Sequence, residues 1–253
     1  MNAWLGQSVP WAHRGHLTTY LWMLVALLQR GEINLTHWLP YVPCRGGQAQ
    51  SKQRRLSRWL HNSRLNVHRL YKPLIEAALA HWDEDCLYLS LDTSLFWDEY
   101  CLIRLAVVHR GRALPVVWRV LRHRSASVIE EAFLDDQSNG WNLQKSEIRD
   151  LRALSRLWFL LAVATLYVTA QGVEVVATGK RRWVDPHWFR GNSYFLIGWD
   201  WLKAALENGW PLIRHVGFTR NRDPEPAMAS RKQHEQRTYR IEFKIHTYCY
   251  AAD

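Results

Sequence analysis

Three strand-like runs follow one another within residues 87–120, and they constrain the fold more than any other part of the chain. The first run alternates apolar and polar residues and ends at Asp92, whose side chain points away from the leucine face. A second apolar run covers residues 101–108, and a tight turn containing Gly111 leads into the third, residues 114–120. These runs predict a three-stranded antiparallel meander. They also place a lone carboxylate on the sheet, an arrangement commonly used to hold a catalytic metal ion.

The amino-terminal third of the chain has helical patterning. We predict helices over residues 16–29 (ended by Gly31), 33–42, 51–60 and 67–82. The third of these is strongly basic, and Leu56, Trp59 and Leu60 have the spacing of an inward face. Four basic residues lie largely on the remaining surface: Lys52, Arg54, Arg55 and Arg58. Such a surface fits DNA phosphates, although a simple solvated helix face gives the same pattern.

The composition also favours a polyanionic partner. Lys and Arg total 33 against 23 acidic residues, a formal charge of +10, and nucleic acid is the usual partner of such an excess, with plain solubility as the alternative. The four cysteines are widely spaced, which is typical of reduced thiols in a cytoplasmic protein. Residues 157–170 form the most apolar run but fall short of the ~20 residues that a bilayer requires, so we expect no membrane span.

The carboxy-terminal half is predicted to contain two helices joined by a basic loop. A long helix over residues 146–170 would pack on the sheet, and residues 197–207 form another, ended by Gly209. The loop between them contains both tryptophans and basic residues, the latter being Lys180, Arg181 and Arg182. That mixture suits either a nucleic-acid surface or an exposed loop anchored by tryptophan. Residues 219–253 are predicted to be a mobile tail.

Three motifs carry a resemblance to a known family. They are Leu-Asp-Thr-Ser at residues 91–94, Ala-Leu-Pro-Val at 113–116 and Ile-Glu-Glu-Ala-Phe at 129–133. In this order they resemble the DDE transposases of the insertion-sequence-four family. The resemblance implies an RNase H-like core in which two aspartates and a glutamate hold two Mg²⁺ ions. It makes Asp92 and Glu130 the expected catalytic and metal-binding residues.

The chain departs from this family between its two acidic residues. Asp92 and Glu130 are only 38 residues apart, and no segment corresponds to the long family stretch that carries the second aspartate. Asp98 or the pair Asp135 and Asp136 could approach a metal, but their surroundings have turn composition. We therefore predict an RNase H-like core that lacks strands and has an exposed sheet edge.

The expected fold class is α+β. A helical, DNA-binding domain (residues 1–83) precedes a truncated transposase core (84–218) and the tail (219–253). The expected function is Mg²⁺-dependent cleavage and strand transfer in DNA transposition, defective here because the second aspartate is missing. The expected partners are double-stranded transposon ends, a second copy of the chain, or intact transposase in a mixed oligomer. One alternative is a non-catalytic DNA-binding remnant, and another is a product that does not fold stably.

Overall fold

Helices and one antiparallel sheet build the part of the chain that the computed structural model describes, which is residues 1–43, 48–82, 87–97, 99–110, 112–122, 146–219, 223–225 and 227. The helices are α1 (Asn2–Ser8), α2 (Arg14–Arg30), α3 (Ala49–Leu60), α4 (Val67–Ala78), α5 (Leu151–Ala177) and α6 (Tyr194–Asn208). The strands are β1 (Leu89–Phe96), β2 (Tyr100–His109) and β3 (Arg112–Arg122). The predicted α+β class is confirmed.

Two helices of the amino-terminal head have recognisable capping residues. Helix α2 ends at Gly31, whose φ of 71° is left-handed and whose N–H donates to the Leu27 carbonyl. Helix α4 begins where the Asn66 side chain accepts a hydrogen bond from the Arg69 N–H at 3.0 Å. Leu56, Trp59 and Leu60 of α3 are buried. The predictions for these three helices are therefore confirmed, although α4 ends four residues before its predicted limit.

The helix predicted over residues 33–42 is wrong. This stretch forms turns and a short 3₁₀ segment, Leu39–Tyr41. The Asn34 side chain accepts hydrogen bonds from the N–H groups of Thr36 and His37, at 3.0 and 3.3 Å. An asparagine side chain that takes these donors competes with the helical hydrogen bonds of the same segment.

The three strands form the predicted meander in the order β1–β2–β3. Asp92 lies opposite Arg104, and Arg104 lies opposite Trp118, so these three side chains form one row across the sheet. The strand continues past Asp92 to Phe96, which places the carboxylate in the interior of β1 rather than at its end. The alternation of β1 is confirmed. Its exposed face is the leucine face, with Leu91 at 70% exposure and Asp92 at 4%.

Helix α5 explains why the opposite face of the sheet, which carries Asp92, is buried. Its 27 residues begin at Leu151, after the Asp150 cap and five residues later than predicted, and run on to Ala177. The Trp118 indole N–H donates to the Ser155 carbonyl at 3.3 Å, which fixes β3 against the first turns of α5. Among the described residues, α5 is the one helix long and apolar enough to cross a bilayer, and 83% of its most apolar stretch is buried in the protein.

The helical head and the sheet share one hydrophobic core around α5. The buried Arg156 of α5 donates to the carbonyl of Leu60, at the end of α3, at 2.7 Å. A second contact runs from the head to the sheet, where the Tyr71 hydroxyl of α4 donates to the Pro115 carbonyl of β3. The head is thus held against the sheet by buried polar contacts as well as by apolar packing.

Helices α5 and α6 cross at two glycines. A Cβ atom built on Gly172 would lie 2.7 Å from the Tyr194 carbonyl carbon and 2.9 Å from the Gly198 backbone nitrogen. A Cβ atom on Gly198 would lie 2.8 Å from the Gly172 nitrogen. Both backbones therefore occupy the space of a side chain, and this close crossing positions the loop that joins the two helices.

Candidate nucleic-acid interface

The predicted catalytic aspartate is buried in an ion pair. The Arg104 guanidinium donates to the Asp92 carboxylate across β1 and β2, and the two side chains are 11% and 3% exposed. The same guanidinium carbon lies 5.5 Å from the ring centroid of Trp158 on α5. The strand register brings the two charges together, and α5 covers them. Asp92 is thereby neutralised by a side chain of the sheet itself.

The described residues around Asp92 do not by themselves make up a magnesium site. A Mg²⁺ ion would need several oxygen ligands, and it would be repelled by a guanidinium already bound to the carboxylate. No group of three or more His, Cys, Asp or Glu side chains that could hold a metal occurs among the described residues. Glu130, the second predicted ligand, lies outside the described residues, as do Asp98, Asp135 and Asp136.

Helix α3 presents two of its four predicted DNA-binding side chains directly to solvent. Arg54 and Arg58 are exposed. Lys52 and Arg55 are half-buried and bind within the head. The Lys52 ammonium donates to the Leu39 carbonyl at 3.2 Å, and Arg55 Nε donates to the Thr19 hydroxyl at the same distance. These two residues hold α3 in place while adding positive charge behind the exposed pair.

The amino-terminal head contains few acidic groups of its own. Residues 1–82 contain ten Lys and Arg residues and two acidic residues, Glu32 and Glu76. The Glu32 carboxylate lies 2.5 Å from His37 Nδ1, which lowers its pKa chiefly through that hydrogen bond. The Glu76 carboxylate lies 3.6 Å from the Lys72 ammonium, one turn away on α4. Both acidic side chains are thus paired with nearby residues, and neither compensates the positive charge of Arg54 and Arg58.

The side chains of the second predicted basic group, in the loop between α5 and α6, also differ in their exposure. Arg182 is exposed and Lys180 is half-buried, with its ammonium 5.8 Å from the ring of Trp201. Arg181 is only 4% exposed. It lies 2.5 Å from the Glu225 carboxylate and donates to three loop carbonyls at 2.9–3.1 Å, those of Asp185, His187 and Phe189. Its guanidinium therefore organises the loop instead of facing solvent.

A buried carboxylate completes this loop, and the sequence reasoning missed it. Asp185 is fully buried and accepts hydrogen bonds from the N–H groups of Gly191 and Asn192 at 3.1 and 3.3 Å. Its other oxygen lies 2.6 Å from His187 Nδ1. Burial alone would raise the pKa of Asp185, but the hydrogen bonds from His187 and Asn192, with the charge of Arg181, lower it below its usual value. The four-residue spacing of Arg181 and Asp185 was the available signal in the sequence.

The fold and the site define a mixed α+β protein whose helical head carries an exposed basic surface and whose strand carboxylate is ion-paired. No family model, curated protein or solved structure matches the chain. The resemblance to DDE transposases therefore rests on the three sequence motifs.

Proposed function

We propose that this chain is a cytoplasmic DNA-binding protein derived from a DDE transposase, with an incomplete RNase H-like core, and that it occupies transposon ends without cutting them. The observation that carries the proposal is the exposed pair Arg54 and Arg58 on α3, in a head with ten basic and two acidic residues. Lys180 and Arg182, in the loop after α5, are a second and separate basic group that the proposal retains. Arg181 is left out of it because its side chain is buried.

The chemistry of this surface suits the phosphate backbone of duplex DNA. Guanidinium groups bind phosphate oxygens, and each neutralised phosphate releases a counterion, so that binding weakens steeply as salt increases. Such contacts position a protein on DNA but do not distinguish base sequences. Recognition of a particular transposon end would need additional side chains that reach base edges.

The Asp92–Arg104 pair supports the non-catalytic part of the proposal. Metal-dependent strand cleavage would need the Asp92 carboxylate to exchange a buried guanidinium for Mg²⁺. A chain that binds transposon ends in this state would block them, alone or in mixed oligomers with an intact transposase.

The binding test compares wild-type protein with a variant carrying both Arg54→Ala and Arg58→Ala. Fluorescence anisotropy with labelled duplex DNA is measured over a series of salt concentrations. We expect the double variant to bind about 10–100-fold more weakly and to lower the logarithmic salt slope by about 2. The matched control is Lys72→Ala, which removes an exposed lysine already paired with Glu76 and should leave both quantities nearly unchanged.

Two outcomes would contradict the DNA-binding part of the proposal. If wild-type protein does not bind duplex DNA at low salt, or if the double variant binds as wild type does, the α3 surface is not the interface. Incubation with Mg²⁺ or Mn²⁺ and DNA carrying the transposon ends tests the non-catalytic part. Strand cleavage by wild-type protein that disappears in Asp92→Asn would show that the site is active.

A further inference from the structure

The loop between α5 and α6 exposes a tryptophan that does not anchor it. Trp183 ends a short 3₁₀ segment, Arg181–Trp183, and is 62% exposed. Trp201 of α6, by contrast, is 2% exposed, and its indole N–H donates to the Pro211 carbonyl at 3.2 Å. Tryptophan is on average a highly buried residue. The anchor in this part of the chain is therefore Trp201, and the exposure of Trp183 needs another explanation.

Trp201 and Trp210 hold the Trp183 ring in place. The Trp183 ring centroid lies 6.0 Å from that of Trp201 and 5.1 Å from that of Trp210, and the latter two centroids are 4.7 Å apart. Because Trp201 and Trp210 contact each other, they support Trp183 from one side and leave the rest of its indole accessible. A ring that is already fixed loses little conformational entropy when a ligand packs on it. Trp183 is thus a rigid, exposed aromatic surface.

Positive charge lies beside this ring. The loop contains four basic residues and one acidic residue. Two of the basic residues, Arg181 and Arg190, are buried and ion-paired. The other two are the exposed Arg182, which precedes Trp183 in the chain, and the half-buried Lys180. The charges that remain accessible in the loop are therefore next to the exposed indole.

An exposed aromatic ring beside basic side chains matches the chemistry of single-stranded DNA. Every unpaired base presents a π face, and stacking on an aromatic side chain contributes about 5- to 150-fold in affinity per base. The bases of a duplex are already stacked on their neighbours and reach such a ring only after they leave the helix. The flanking phosphates suit Arg182 and Lys180. An uncharged apolar partner would gain nothing from these two charges.

We propose that Trp183 stacks on an unpaired base of single-stranded DNA, while Arg182 and Lys180 contact the neighbouring phosphates. The choice of DNA rests on the proposed function, but this surface is separate from Arg54 and Arg58 on α3. Helix α3 binds the phosphates of the duplex, and the loop binds bases that have left it.

Fluorescence anisotropy of the full chain with two labelled oligonucleotides tests the stacking contact. One is oligo(dT), and the other has the same length and charge but abasic residues in place of the thymidines. Wild-type protein should bind oligo(dT) about tenfold more tightly than the abasic strand. Trp183→Leu keeps an apolar side chain without a π face and should remove this preference, whereas the matched control Trp183→Phe should keep most of it. Arg182→Ala should weaken binding of both strands by a similar factor. Circular dichroism of the variants checks that they fold.

Three results would overturn the proposal. The first is a wild-type protein that binds the two strands equally or binds neither. The second is a Trp183→Leu variant that retains the wild-type preference. The third is an equal loss of preference in Trp183→Leu and Trp183→Phe, which would assign Trp183 a packing role alone.

The variant with Arg54→Ala and Arg58→Ala separates this result from the test of duplex binding. It should bind both single strands more weakly than wild type and still prefer oligo(dT) by the same factor. If the α3 surface proves not to bind duplex DNA, a preference for oligo(dT) that depends on Trp183 still supports the loop contact.

Discussion

The close crossing of α5 and α6 makes a strong prediction about Gly172. In the interior of an exposed helix, replacing glycine by alanine usually stabilises a protein, by up to about 1 kcal/mol. Gly172→Ala should do the reverse. The new Cβ would lie 2.7 Å from the Tyr194 carbonyl carbon and closer still to its oxygen, whereas ordinary contact begins at 3.4 Å.

The size of the effect follows from what must move. The obstructing atoms are backbone atoms of α6, which cannot rotate away as a side chain can. The two helices must separate by at least about 0.7 Å, and the buried residues between them, including Ile197 and Trp201, then lose contact. Overpacking of this kind costs typically 1–3 kcal/mol, and more where backbone obstructs. We expect Gly172→Ala to lower the unfolding free energy by about 3 kcal/mol, a large share of the 5–15 kcal/mol of a typical protein.

Urea denaturation followed by tryptophan fluorescence measures this loss, which should lower the midpoint by roughly 1 M or more. Gly6→Ala is the matched control because a Cβ atom at that position in α1 would meet Leu17 at an ordinary 3.5 Å. It should be neutral or slightly stabilising. If Gly172→Ala is as stable as Gly6→Ala, the two helices do not cross at this distance and the reasoning is refuted.

Three further substitutions test other buried groups. Arg104→Met leaves the Asp92 carboxylate buried without its counter-ion and should cost about 3–5 kcal/mol, whereas Arg104→Met combined with Asp92→Leu should recover most of that loss in urea denaturation. Burial, helped by a neighbouring arginine, lowers the pKa of His109 to about 4. As the pH is lowered, His109 therefore takes up a proton at a higher pH in the unfolded chain than in the folded protein. Stability should fall by up to about 3 kcal/mol between pH 7 and pH 4, and His109→Phe should remove that part of the loss in a pH series. Arg181→Met removes the donor that holds the carbonyls of residues 185–189, so limited proteolysis should cut this loop before any other described segment.

The parts of the fold that were predictable have strong local signals. Helices α2 and α6 end at Gly31 and Gly209, which adopt φ values of 71° and 69° that favour glycine. The meander was predictable because strand alternation and a turn signal coincide in one short stretch. In each case the residues that decide the structure are neighbours in the sequence.

The features that sequence reasoning missed depend on distant contacts. Alternation in β1 defines two faces, but α5, more than fifty residues later, decides which face is buried. The predicted helix ends at residue 170, where Thr165, Val168 and Thr169 have weak helix propensity. Val168 and Thr169 are buried in the core, and that burial outweighs their weak helix propensity, so the helix continues to Ala177. Local preferences of this size yield to tertiary packing.

The same limit applies to the candidate site. The sequence shows how much positive charge a segment carries, but not what each charged group contacts. Arg54 and Arg58 face solvent, whereas Arg181 is surrounded by the carbonyls of its own loop and by Glu225. All three are arginines, and only their contacts in the folded protein distinguish the exposed pair from the buried residue.

Asp92 shows why a strand aspartate alone does not define a metal site. A carboxylate buried beneath a helix must be compensated by a positive charge. In an active two-metal site the ions supply it, together with other acidic ligands. Here Arg104 supplies it from the adjacent strand, and the row continues to Trp118, so the sheet can retain the aspartate without a metal. Asp92 could therefore serve catalysis only if Arg104 released its carboxylate.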